Sequence, residues 1–289
     1  MARTVYLLAL ASALSSAGST ILIRQGLRGS TPFTGFWINL VVGSTGLWVA
    51  VLFTEGLGRF SVAGLALFAL AGLIGTTGGR LLRFVSIEQV GASIASALIN
   101  LNPLISTGLA IVLLGERVTL PILTGTLVIV AGTIVLSIGG WKLGVRANQL
   151  ALPLLSAACF GVVAILRKTG LGHTGPVLGS AINATTALVA FTAFLWATGQ
   201  RDAMACRGPS LRYFIAAGVA ENAAVFLTVV ALGLGTVSVV APLTATAPIF
   251  VLFLSMAFLR GIERLTVRIV LGTVLIVGGV YLITALSGR

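Results

Sequence analysis

The stretch Glu116-Arg117-Val118-Thr119 returns near the end of the chain as Glu263-Arg264-Leu265-Thr266. Each copy follows an apolar segment that contains a proline, and each precedes an apolar segment with two glycines seven residues apart. The matched residues are Pro103 and Pro248, Gly125 and Gly272, and Gly132 and Gly279. The chain therefore contains two copies of one set of apolar segments, and this duplication decides the fold.

Apolar segments of about 20 residues recur from one end of the chain to the other, and each can cross about 30 Å of hydrocarbon. With 57% hydrophobic and 8% charged residues, the composition excludes an ordinary soluble domain. Backbone polar groups in lipid must be satisfied within the protein, so spans of this length are helices. The sequence predicts an all-α membrane protein with ten transmembrane helices, at about 4–23, 33–54, 61–82, 89–114, 119–139, 148–167, 175–198, 211–232, 236–259 and 265–286.

Five of these helices fall in residues 1–144 and five in residues 145–289. An odd number of spans turns the second copy upside down relative to the first. Inverted repeats are typical of secondary transporters, which bind their substrate near the bilayer midplane between the repeats. The sequence therefore predicts two inverted five-helix repeats that work by alternating access.

The net charge of +12 does not indicate nucleic-acid binding, because the basic residues stand singly or in pairs between apolar segments. The two cysteines and the single histidine have no metal-ligand spacing, so neither a metal nor a cofactor is expected. The six acidic residues are scattered, whereas an intramembrane enzyme needs clustered acid–base or metal-binding groups. We therefore expect no enzyme activity.

The repeated residues resemble the drug/metabolite transporter superfamily, in particular its EamA-type members with ten spans. That pattern is a proline within the fourth span, a Leu-Gly-Glu-Arg-like turn and a glycine-rich fifth span, and it covers essentially the whole chain. An arginine common in the second span of such proteins is replaced here by Asn39. The resemblance implies a carrier in the cell membrane that exports amino acids, related metabolites or drugs. It also implies cytoplasmic termini, whereas the count of Lys and Arg between spans favours the opposite orientation.

Glu221 lies near the middle of the predicted span 211–232. An ionised side chain at that depth costs about 2.5–3.5 kcal/mol, so it should face a cavity or be protonated. Three roles are open: a proton-coupling carboxylate, a partner for a substrate ammonium group, or a protonated side chain bonded to a neighbouring helix. The adjacent Asn222 is expected to face the substrate as well. Thr76 stands at the matching place in the first half, so the halves share a scaffold but not this charge.

Asparagines and one tryptophan are further candidates for the substrate pathway. Asn39 and Asn183 occupy matching places in the second span of each half, where they either contact substrate or bridge helices by hydrogen bonds. Asn100, close to the proline of the fourth span, is expected to line the pathway. Trp37, two positions before Asn39, is a candidate for stacking on the substrate.

Three prolines and two arginines complete the candidate residues. Pro103, Pro242 and Pro248 remove helical hydrogen bonds within spans, which predicts either hinges for gating or static kinks. Arg80 and Arg83 lie one helical turn apart near the predicted end of the third span. They either attract anions at a cavity mouth or snorkel to the membrane interface.

The function that these patterns favour is a membrane carrier of small organic solutes, with protons as a coupling ion that the sequence permits. A lipid or lipid-linked sugar flippase of the same architecture is the alternative within this fold, and a membrane-embedded enzyme is the alternative of another class. The expected partners are a small-molecule substrate and the lipid bilayer. Both a monomer and a homodimer remain compatible with the sequence.

Overall fold

The computed structural model describes residues 2–54, 61–90, 95, 98–137, 147–206, 208–258 and 267–286, and these are organised as helices joined by short connections. Six helices among them are long and apolar enough to cross a membrane, and four shorter apolar helices accompany them. The prediction of an all-helical membrane protein is confirmed. Ser93, Trp141 and the second copy of the repeated turn, residues 263–266, lie outside the described residues.

The described helices divide between the two halves of the sequence. The first half contains α1 (Ala2–Gly26), α2 (Pro32–Phe53), α3 (Val62–Ala71), α4 (Arg80–Val90), α5 (Asn102–Leu114) and α6 (Leu120–Ser137). The second half contains α7 (Ala151–Gly170), α8 (Pro176–Ala197), α9 (Pro209–Leu234), α10 (Val237–Thr244), α11 (Ala247–Phe258) and α12 (Val267–Leu286).

A π-helical segment, Gly72–Gly79, joins α3 to α4 without a break. π-Helical turns leave backbone groups without their usual partners and are found mostly at functional sites. Here the Ser156 hydroxyl of α7 donates to the Gly79 carbonyl at 2.8 Å. The helix continues to Val90, whereas the part of it that can span a membrane, Val62–Arg83, agrees with the predicted third span at 61–82. This extension moves Arg80 away from a helix end and into the body of the protein.

The helices α6 and α12 pack against each other through the repeated glycines. A Cβ atom added at Gly132 would lie 2.8 Å from the Gly272 carbonyl oxygen. One added at Gly279 would lie 2.7 Å from the Gly125 carbonyl oxygen. Small residues allow membrane helices to approach this closely, and packing rather than hydrophobicity drives their association in lipid. The seven-residue spacing of the glycines thus serves one helix pair within the chain.

Serines hold α1 against α9 along one face. Each hydroxyl donates to a backbone carbonyl of the partner helix, which satisfies the hydroxyl inside an apolar environment. The pairs are Ser12 with Ala224 (2.7 Å), Ser15 with Ala220 (2.8 Å) and Ser19 with Ala217 (3.0 Å).

Both halves interrupt a helix at equivalent places. A turn at residues 100–101 precedes α5, whose second residue is Pro103, and a turn at 245–246 precedes α11, whose second residue is Pro248. Proline is tolerated there because the first turn of a helix does not use its N–H groups. Pro242 instead lies inside α10 and is buried. A gating role for the three prolines stays a prediction.

Contacts between the halves are symmetric on exchange of the two copies. Helix α1 packs on α9, and its counterpart α7 packs on α3 and the π-helical segment. The pairs α2 with α8 and α6 with α12 join equivalent helices. The space between these pairs is where a shared cavity forms.

Candidate functional site

A cavity of about 260 Å³ lies between the two halves of the chain. Helices α1, α4 and α5 and the π-helical segment of the first half line it together with α7, α9 and α10 of the second. Its uncharged polar lining consists of Ser12, Ser16, Thr76, Asn102, Thr228 and Thr244. Phe160, Val163, Ala164, Val225, Leu232 and Val240 are prominent in its apolar lining. The cavity therefore offers hydroxyl groups and an apolar surface to one occupant.

Glu221 lines this cavity and forms a salt bridge there. Its Oε1 atom accepts a hydrogen bond from Arg80 Nη2 at 3.2 Å, and the two side chains are 21% and 19% exposed. Ser16 Oγ donates to Oε2 at 3.4 Å. The Arg80 guanidinium also lies 5.4 Å from the ring centre of Phe36, a cation–π contact. The pair joins the first half to the second, a situation that sequence reasoning about Glu221 did not anticipate.

Arg167 is a second arginine in the cavity lining. Its Nη2 atom donates to Asn183 Oδ1 at 3.2 Å, and Asn183 Nδ2 donates to Thr76 Oγ1 at 3.1 Å. The Nε atom of Arg167 is buried and has no hydrogen-bond partner among the described residues. Asn183, which is 3% exposed, therefore orients Arg167 rather than lining the cavity itself.

Arg83 is the third arginine of the cavity lining, and its side chain is exposed. Within the described part of the chain it forms no salt bridge or hydrogen bond, although it feels the charge of Glu221. Arg80 and Arg83 thus both line the cavity. Two consecutive glycines, Gly78 and Gly79, precede these arginines and end the π-helical segment. They were the signal in the sequence for a change of helix geometry at this place.

The amide side chains of Asn39 and Asn222 bridge helices α2 and α9. Asn222 Nδ2 donates to the Asn39 carbonyl at 3.1 Å, to Asn39 Oδ1 at 3.4 Å and to the Gly218 carbonyl at 2.8 Å. Trp37 Nε1 donates to Thr192 Oγ1 at 3.1 Å. None of Asn39, Asn222 and Trp37 lines the cavity between the halves, although Asn222 lines another pocket of about 200 Å³. In the structure these amide and indole groups make hydrogen bonds between helices, and contact with substrate stays a prediction for all three residues.

Asn100 lies in the turn before α5 and is not part of the described cavity lining. Asn102, two residues later, does line the cavity, and its Nδ2 atom donates to the Ile99 carbonyl at 3.0 Å. Asn102 therefore lies in the cavity lining and Asn100 lies outside it. The spacing of the two residues in the sequence does not reveal this difference. Thr76 lines the cavity, and its Oγ1 atom accepts a hydrogen bond from Asn183 Nδ2.

Glu116 of the repeated turn binds the start of α10 in the other half. The Val237 N–H donates to Oε1 at 2.7 Å, and the Ser238 N–H and hydroxyl donate to Oε2 at 3.0 Å and 2.7 Å. A carboxylate at a helix N-terminus satisfies free N–H groups and favours the helix dipole. The repeated motif, which marked the duplication in the sequence, thus joins the halves in the structure.

Lys168 holds the same connection between α9 and α10 from the opposite side. Its Nζ atom donates to the carbonyls of Leu232 and Gly235, both at 2.7 Å. Basic side chains satisfy the last carbonyls of a helix in this way. Leu232 also lines the cavity, so the bonds from Lys168 lie beside it.

Glu116→Gln is expected to lower the free energy of unfolding by about 1–3 kcal/mol, because charge-assisted hydrogen bonds to α10 are lost. Thermal unfolding of the purified protein in detergent measures the change. Asp202→Asn, at an exposed acid outside the clamp, is the matched control and should leave the melting temperature unchanged. Equal effects of the two variants would contradict a specific clamp.

A protein-family model described as the EamA-like transporter family matches residues 3–138 and, a second time, residues 149–285. The chain belongs to the EamA-like transporter family. It is therefore a multi-pass membrane transporter of the drug/metabolite transporter superfamily, located in the cell membrane. Family membership indicates transport and not enzymatic catalysis. No three His, Cys, Asp or Glu side chains among the described residues of this transporter could hold a metal ion.

Solved structures resemble this EamA-like transporter over its whole length. One of them, a crystal structure described only as "Crystal structure of protein", superimposes with a TM-score of 0.79. The two chains are 19% identical, and the match covers 99% of this chain and 98% of the other. At that identity the likeness shows a shared fold alone. No curated protein matches the chain.

Proposed function

We propose that this transporter carries a small organic solute by alternating access, with the shared cavity as its binding site between two inverted five-helix repeats, residues 1–144 and 145–289. The observation that supports the proposal best is the salt bridge between Arg80 of the first half and Glu221 of the second, inside the cavity. A charged pair that joins the two halves at the binding site can couple solute binding to the relative position of the halves. Transporters with inverted repeats bind their substrates at such an interface.

The moving parts in this proposal are the two halves, and the clamp at Glu116 belongs to the closed side. Rocking of one half against the other must break the hydrogen bonds from α10 to Glu116 and remake equivalent bonds elsewhere. The helix interruptions before Pro103 and Pro248 would absorb the bending, since hinges use a few residues at element ends. The glycine-packed α6 and α12 would stay together as a fixed support.

Glu221 is the proposed site of proton coupling. Protonation removes its negative charge and frees Arg80, so the cavity changes its charge by one without any movement of the backbone. The transport direction that we propose is export, following the family resemblance of the repeated motif. Amino acids, related metabolites and drugs are the solute classes to be compared.

Counterflow in proteoliposomes tests the proposal. Vesicles loaded with an unlabelled solute should accumulate the same labelled solute faster and to saturation when the transporter is present, for at least one member of a panel of organic acids, amino acids and nucleosides. Ala164→Phe fills the cavity and should reduce this flux at least about tenfold, since close packing leaves no room for both ring and solute. Leu155→Phe, at an exposed position of the same helix α7, should leave the flux unchanged.

If the same vesicles showed lipid scrambling and no solute flux, the carrier proposal would give way to the flippase alternative. Equal loss of flux in both phenylalanine variants would remove the cavity from the mechanism.

A further inference from the structure

We infer that the solute of this transporter is a small organic anion, whose carboxylate or phosphate group binds between Arg83 and Arg167. This inference rests on the proposed function and names the class of its substrate. The cavity lining holds three arginines and one glutamate, Arg80, Arg83, Arg167 and Glu221. Among the described lining residues, two positive charges are therefore left without a negative partner.

The charge excess is costly in the absence of an anion. Charged side chains within a membrane protein face a cavity and pair with other charges, because an unpaired charge loses most of its solvation there. Arg80 satisfies this rule through Glu221 at 3.2 Å. Arg167 does not, since its buried Nε atom has no partner among the described residues. Arg83 adds a second, exposed positive charge to the lining, so an occupant with negative charge would supply what the described residues lack.

The hydrogen-bonding pattern points the same way. Arg167 uses one nitrogen on Asn183 Oδ1, a neutral acceptor, and its buried Nε atom has no partner among the described residues. Arginine presents its N–H donors in a fork that matches carboxylate and phosphate oxygens. The chain from Thr76 through Asn183 to Arg167 fixes the orientation of that fork. Asn183 is thus a positioning residue for the anion.

A zwitterion or a cation fits the site less well. A zwitterionic amino acid adds no net charge, so two positive charges would remain unbalanced. The acidic group of the described lining that could hold its ammonium is Glu221, and that carboxylate already accepts bonds from Arg80 and Ser16. A cation would raise the positive charge of the cavity further. The anion is the solute class that lowers the electrostatic energy of the site.

The remaining lining sets the size and surface of the solute. About 260 Å³ lies at or below the lower end of the range for drug-sized ligands, so the solute is a small metabolite. The hydroxyl groups of Ser12, Thr228 and Thr244 suit a polar body, and Phe160 offers an apolar wall. A hydroxylated or unsaturated organic acid, or a small organic phosphate, matches this lining.

The test is a comparison of charge classes in counterflow. Proteoliposomes are assayed with labelled malate, 3-phosphoglycerate, leucine and lysine, which represent a dicarboxylate, an organic phosphate, a neutral zwitterion and a cation. At least one of the two anions should exchange at least tenfold faster than leucine and lysine. The ratio of malate to 3-phosphoglycerate flux distinguishes a carboxylate site from a phosphate site.

Variants assign the anion to the arginines. Arg83→Gln and Arg167→Gln should each reduce anion flux at least tenfold, and Arg167→Lys should recover part of it, because charge returns without the fork. Asn183→Ala should raise the KM for the anion more than it lowers kcat. Arg212→Gln, an exposed arginine outside the cavity, is the control and should keep wild-type flux. Folding of each variant is checked by its elution as a single species in detergent.

Faster exchange of leucine or lysine than of both anions would overturn the anion inference and leave the carrier proposal standing. Anion flux that persists in well-folded Arg83→Gln and Arg167→Gln variants would also overturn it. If no solute of either counterflow panel were transported, both the carrier proposal and the anion inference would fail.

Discussion

Gly279→Ala is expected to destabilise the protein by about 1–3 kcal/mol, the usual cost of inserting atoms into a packed core. The new methyl group would lie 2.7 Å from the Gly125 carbonyl oxygen and 3.0 Å from the Ile129 amide nitrogen. Both atoms belong to the backbone of α6, so the conflict cannot be relieved by a change of rotamer. The helices α6 and α12 must separate, and their mutual packing is lost along the whole interface.

Gly278→Ala is the matched control, since it adds the same methyl group one residue earlier in α12. No atom lies within 4 Å of a Cβ atom at Gly278. Alanine also favours a helix over glycine by about 0.5–1 kcal/mol, so this variant should be as stable as the parent or more so. Thermal unfolding of both variants in detergent measures the difference. Equal melting temperatures for the two variants would mean that the glycines do not hold α6 and α12 together.

Glu221→Gln is expected to abolish the pH dependence of transport and to lower the flux at least about tenfold. Glutamine cannot ionise, so the cavity keeps one charge state at every pH. The groups that surround this position among the described residues are Arg80, Arg83 and Arg167, together with the Ser16 hydroxyl. Without the carboxylate, Arg80 stays unpaired and competes with the other arginines for the solute.

The double variant Arg80→Gln, Glu221→Gln separates stability from coupling. Breaking one side of a paired charge leaves the other uncompensated, whereas removing both is often nearly neutral. The double variant should therefore regain the thermal stability that Glu221→Gln loses, while its transport stays independent of pH. Counterflow between pH 5 and 8 and thermal unfolding are the two measurements. Wild-type kinetics and pH dependence in Glu221→Gln would exclude this carboxylate from the mechanism.

The cavity also explains part of the charge distribution that made topology difficult to predict. Arg80, Arg83 and Arg167 line the cavity and do not lie in connections between spans. Basic residues inside a cavity have little influence on the orientation of the protein in the membrane, because the positive-inside rule concerns the loops. The sequence placed Arg80 and Arg83 near the end of the third span, whereas the helix that carries them continues to Val90.

The sequence by itself determined the membrane class, the duplication and the matched spacing of the glycines at 125, 132, 272 and 279. These conclusions depend on length, composition and spacing, which are local properties and need no knowledge of partners. It also predicted that Glu221 faces a cavity or is protonated, because an ionised acid at midspan depth is costly. The interruptions before Pro103 and Pro248 follow from the missing N–H of proline in the same local way.

Only the tertiary structure decided which polar side chains face the cavity. Membrane helices are apolar nearly all round, so hydrophobic periodicity does not mark the face toward the protein interior. The π-helical segment at Gly72–Gly79 changes the register of its helix and brings Arg80 to Glu221 in the other half. In the same way Asn183 lies behind Arg167 rather than beside the solute. The charged residues of the site are distant in sequence. They line one cavity only because the two halves pack against each other.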